Sequence, residues 1–143
     1  MRIPLIIFGL GWILVWAGIG LLLALQDGGY AGAMQSAAEA GNLSIFWATL
    51  RAWKIRASTH AHVLNFSYFA ILLGLLWHMI KLPRLLKNAA AVVYMVGVVV
   101  FSFASWNWMQ AGMAFGDLAF VGVVALALVG VLRGWRDADN GQA

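Results

Sequence analysis

The sequence predicts an all-α integral membrane protein, a single bundle of four transmembrane helices. Three observations carry that prediction. Of the 143 residues, 64% are hydrophobic and 10% are charged, more apolar side chain than a soluble domain of this length could hide. The apolar residues gather into four tracts, about 3–25, 58–80, 89–106 and 118–132, each approaching the ~20 residues that cross ~30 Å of hydrocarbon. The basic residues sit at the ends of those tracts, as membrane topology requires.

The first tract, "MRIPLIIFGLGWILVWAGIGLLLALQ", has an apolar run too long for a signal-peptide core. No small-x-small cleavage site closes it before "DGGYAGA", so a retained first helix is expected. A long connection follows, from about Gln26 to Ala57. It opens in small residues and closes in "NLSIFWATLRAWKIR", where an interfacial helix over about 43–56 would lay its basic residues among lipid headgroups. The second tract holds His60, His62 and His78, all the histidines of the chain. The next link, "KLPRLLKN", is short and basic, and Pro83 breaks the helix there. After the third tract, "WNWMQAGMAFGD" lacks Lys and Arg and carries two tryptophans, which suits a membrane interface. The last two tracts are short for a bilayer, so their helices are expected to extend into the flanks. The tail "RGWRDADNGQA" is polar.

Four spans put Arg2, Lys81, Arg84, Lys87, Arg133 and Arg136 on one side and Arg51, Lys54 and Arg56 on the other. Six against three predicts both termini in the cytoplasm. The expected location is a bacterial inner membrane, with the lipid bilayer as first partner. The net charge of +4 is accounted for by this topology, so no nucleic-acid partner is expected. With no cysteine, the chain has no thiolate metal site, disulfide or thiol nucleophile.

Helix geometry limits what the histidines can do together. His60 and His78 share a face but stand ~27 Å apart along the axis. His60 and His62 differ by ~200° and point to opposite sides, so they cannot chelate one ion on a regular helix. The spacings of three or four used by paired ligands on a helix are missing. Asp117 is the one acid near the edge of a tract; Asp27 and Glu39 fall in the first connection. A cofactor needing a single protein ligand and a large apolar slot fits best, and haem is such a cofactor. The plainer reading makes these histidines interfacial residues, most readily His78 beside Lys81.

"STHAHVLNFSYFAILLGLL" resembles the histidine-bearing second helix of haem-copper oxidase subunit I. It is more similar to the short four-helix membrane proteins of that theme, the styrene oxide isomerase family. The likeness extends over the chain: a long first connection, a histidine heading helix two, a short basic link, and "FGD" before helix four. The resemblance implies a trimer with haem b between subunits, one histidine on the iron, and ferric iron acting as a Lewis acid that turns an epoxide into an aldehyde. An asparagine and a tyrosine would position a small apolar substrate.

Carried onto this chain, the iron ligand is His60, with His62 the alternative, and the asparagine is Asn65. The tyrosine position falls on Phe101 in "VVVFSFASW", and Tyr94 lies seven residues earlier. Phenylalanine cannot donate the hydrogen bond a tyrosine gives, so haem binding follows from the likeness more directly than isomerisation does. Asn65 is ~140° from His60, which would suit a haem shared between two protomers, but lies on the same face as His62. The haem propionates would be met by Arg51, Lys54 and Arg56, Arg56 first, one turn before His60. Two other functions stay open: a haem protein for electron transfer or O₂/NO binding, and a cofactor-free accessory protein.

Overall fold

The computed structural model describes residues 1–139, with side chains as far as Arg136. Its helices are α1 (Arg2–Glu39), α2 (Leu43–Leu75), α3 (Arg84–Trp106) and α4 (Gln110–Asp139), with one 3₁₀ turn at Leu76–His78. All four α-helices are long and apolar enough to cross a membrane. The fold is an all-α transmembrane bundle.

The first connection departs from expectation. It is neither long nor irregular: α1 runs on to Glu39, and the expected interfacial helix over 43–56 is the first half of α2, continuous with the span at 58–80. Ala31, Ala33, Ala37 and Ala38 carry high helix propensity through the extension, and Gln35 donates to Glu39 one turn on at 2.8 Å. Packing against α2 holds it, since Ala37 is buried and Tyr30 touches Trp53 and Arg56. The turn itself is compact. Asn42 N–H donates to the Ala37 carbonyl at 2.8 Å and Gly41 N–H to Ala38 at 3.0 Å, with Gly41 at φ 66°. That is a Schellman closure, and glycine meets its left-handed position without cost. The Asn42 side chain then accepts from Ile45 N–H and starts α2.

Helices α1 and α2 have 38 and 33 residues against 23 in α3. At ~1.5 Å per residue they reach ~57 and ~50 Å, so the tip of their hairpin projects past the α3–α4 turn. At the other end α2 leaves α-geometry at Leu75, and the chain turns through Pro83 into α3. The expected third and fourth spans lie inside α3 and α4, which do extend into their flanks; "FGD" is within α4.

The helices pack as two antiparallel pairs, α1 with α2 and α3 with α4, joined across α2 and α3. Small residues set each pair's closeness. A Cβ on Gly9 would lie 2.7 Å from the Ser67 carbonyl oxygen, and one on Gly97 would lie 2.6 Å from the Ala119 Cβ. The shared core holds Leu5, Trp16, Val63, Phe66, Tyr94 and Phe101. Hydroxyls tie α2 to α3: Thr59 and Ser105 are 2.5 Å apart, and Tyr94 OH donates to the Phe66 carbonyl at 2.7 Å. Trp12 on α1 donates to Ser102 on α3 at 3.2 Å. Apolar side chains such as Leu14, Leu25, Leu85 and Leu118 cover the outside, as lipid contact demands.

Candidate functional site

Helix α2 presents two chemically different sides. His60 lies on the side packed against α1, its ring seated over Gly20. A Cβ on Gly20 would come 2.7 Å from His60 Nε2, so a glycine there makes the room the imidazole occupies. The ring is half-buried, and Nδ1 is sealed off with no hydrogen-bond partner among the described residues. Burying such a group unpaired costs about 1–3 kcal/mol.

Arg56, four residues earlier, shares this side and is already engaged. It donates to the Tyr30 hydroxyl, and its guanidinium carbon lies 5.6 Å from the Tyr30 ring centre and 5.6 Å from that of Trp106. Its stacked position pins the α1 extension to α2 and α3, and so gives Arg56 a structural role beside the ligand role expected of it.

His62 belongs to the opposite side and is exposed. Its ring stands edge-on to Phe101, centroids 6.0 Å apart, and 6.5 Å from Phe66. Together with Ser58, Phe101, Ser105, Trp108 and Asp117 it lines a cavity of about 140 Å³. Ile55, Ser58 and Trp108 also border a wider recess of about 440 Å³ that carries Trp47, Arg51 and Lys54. Arg51 precedes His62 by eleven residues, ~20° around the helix, so recess and cavity follow one face.

Deeper along that face come Asn65 and then Tyr68, both exposed. Ser58, His62, Asn65 and Tyr68 make a polar track on the exposed side of a helix long and apolar enough to cross a membrane; any part of it within hydrocarbon would find no partner in lipid.

The expected site residues therefore separate. Arg51, His62, Asn65 and Phe101 gather on one side of α2; His60 and Arg56 lie on the other. Phe101 is 3% exposed and reaches His62 rather than His60. Tyr94, the other aromatic weighed for a hydroxyl role, is 1% exposed and spends its OH on the Phe66 carbonyl. Gly20, Ser105, Trp108 and Tyr68 were not foreseen. Tyr68 stands three residues after Asn65 and could have been found by its spacing; the other three carry no signal outside the packed fold.

Trp108 has a strained backbone. The α3–α4 turn repeats the Schellman pattern of the first hairpin: Met109 N–H donates to Ala104 at 2.7 Å and Trp108 N–H to Ser105 at 3.2 Å. Here tryptophan, not glycine, occupies the left-handed position, at φ 60°. The strain holds an indole at the mouth of both cavities.

Among the described residues no three of His, Cys, Asp or Glu gather into a ligand set. What the fold offers is single imidazoles beside apolar and aromatic walls, with cations at the rim. In class this is a four-helix membrane protein with two single-imidazole faces on one helix. Comparison with protein-family models, curated proteins and solved structures finds no match for this chain.

Proposed function

We propose that the chain is a membrane haem b protein of the epoxide-isomerase type, with His62 as the iron ligand. The observation that carries the reading is His62 standing against Phe101, with Asn65 exposed one turn further along the same face of α2. The donor set fits: a porphyrin brings its own four nitrogens and asks the protein for one imidazole, apolar walls and cations for its carboxylates. Arg51 and Lys54 are the cations on that side. Bound there, ferric haem would supply a Lewis acid that polarises the oxygen of a small aryl epoxide and favours rearrangement to an aldehyde.

The chain's own residues have simpler tasks. The Asn65 amide can donate to the substrate oxygen and orient it. Phe101, buried against Phe66, gives an apolar wall that excludes water. It cannot donate a proton, so oxygen stabilisation rests on Asn65.

The polar track also favours self-association. A second copy laid over Ser58, His62, Asn65 and Tyr68 would remove those groups from lipid and enclose the haem. His62 opens outward while His60 is covered by α1, so a second copy would meet the His62 side; three copies is the number the family resemblance implies. By charge asymmetry both termini face the cytoplasm.

A second reading follows from the unpartnered Nδ1 of His60. If His60 takes part in holding the iron, His60 of one copy and His62 of the next would both hold the haem across an interface. That would suit electron transfer rather than substrate binding.

The test is the absorption spectrum of protein produced with ample haem, followed by incubation with an aryl epoxide. A Soret band lost in His62→Ala and kept in His60→Ala, with aldehyde formed, is the expected result. Loss in His60→Ala, alone or together with loss in His62→Ala, moves the ligand to the second reading. Colourless wild-type protein overturns both readings and leaves a cofactor-free accessory role.

A further inference from the structure

At the end bearing both termini, the two lysines are used differently. Lys87 Nζ donates to the Trp77 and Ile80 carbonyls at 3.2 Å each and sits 4.8 Å from the Trp77 ring centre. It serves to cap the frayed end of α2. Lys81 is exposed and has no hydrogen bond from its ammonium among the described residues.

The position of Lys81 is nonetheless fixed. Its backbone N–H donates to the Gly130 carbonyl on α4 at 3.0 Å. Its stem lies on Gly134, where a Cβ would come 2.8 Å from Lys81 Cγ and 2.9 Å from the Met79 carbonyl oxygen. The absence of side chains at two α4 positions thus lets the Met79–Leu82 segment cross α4 closely.

This crossing borders a recess of about 630 Å³ lined by His78, Met79, Lys81, Val131, Gly134 and Trp135. Its lower wall, Met79 and Val131, is apolar. Its rim is Lys81, His78 and the indole of Trp135, which is 65% exposed. Arg2, Arg84, Arg133 and Arg136 add charge at the same end, where the only acids in the sequence are Asp137 and Asp139. An apolar wall beneath a cationic, aromatic rim at the mouth of a membrane span suits an amphipathic anion already resident in the bilayer.

We propose that this recess binds the phosphate headgroup of an anionic phospholipid, its acyl chains along Met79 and Val131 and its phosphate at Lys81 and His78. The site is at the opposite end of the bundle from the His62 cavity and does not depend on haem.

The test is native mass spectrometry of the full chain released from mixed micelles containing equal phosphatidylglycerol and phosphatidylcholine. The wild-type protein should retain phosphatidylglycerol preferentially. Lys81→Gln should lower that retention roughly five-fold, the factor for one cation facing anionic lipid. Lys81→Arg should restore it, which separates lost charge from lost fold. Equal retention of the two lipids, or full retention by Lys81→Gln, overturns the proposal. So does displacement of the lipid by millimolar inorganic phosphate, which would make the site one for the free ion.

Discussion

His60 and His62 are separated by one alanine, yet their surroundings have little in common. One ring rests on Gly20 with a nitrogen sealed and unpaired; the other stands exposed beside Phe101. A substitution at Gly20 distinguishes their roles. Gly20→Val drives a side chain into the His60 ring and should destabilise the protein by about 1–3 kcal/mol, the usual cost of overpacking. Unfolding in mixed detergent would measure that loss. If His62 holds the iron, haem content in the surviving folded fraction stays at the wild-type level; a parallel fall in haem would return the ligand to His60.

The helices end by a common device with unequal chemistry. Gly41 and Trp108 occupy equivalent left-handed positions after α1 and α3, and only the glycine does so freely. Trp108→Gly should therefore relieve about 1–2 kcal/mol of backbone strain, offset by whatever the exposed indole contributes to packing. If the proposed epoxide chemistry holds, a raised unfolding midpoint with weaker turnover would mean that Trp108 is kept for the mouth of the His62 cavity. An unchanged turnover would deny it that role. The same pair of turns explains why the elements were only half legible. Pro83 announces a break by its own chemistry, whereas "AGN" in a small-residue stretch looks like more of the same until two helices are seen to close around it.

Taken whole, the molecule exposes His62, Asn65 and Tyr68 along one face of a helix long and apolar enough to cross a membrane, and the proposed self-association is tested there. Asn65→Leu should leave the helical content intact and weaken self-association, since interhelical hydrogen bonds in membranes contribute about 0.6–2 kcal/mol each. Chemical cross-linking in a mild detergent, followed by sizing, would check this. A variant that assembles as well as wild type would remove Asn65 from any interface. The projecting α1–α2 hairpin belongs to this scale too, because Arg56 secures it by stacking between Tyr30 on α1 and Trp106 on α3.

Composition and hydropathy alone determined the four spans and the basic end with both termini. Those follow from the bilayer, which acts on each segment separately. The opposition of His60 and His62 was also legible, because helical phase is local arithmetic. Which of these sides meets α1 and which stays open was decided only in the tertiary structure. So were the cradle at Gly20, the commitment of Arg56 and the cavity behind Trp108. Each depends on contacts between helices distant in sequence, and no single segment contains the shape of its neighbour.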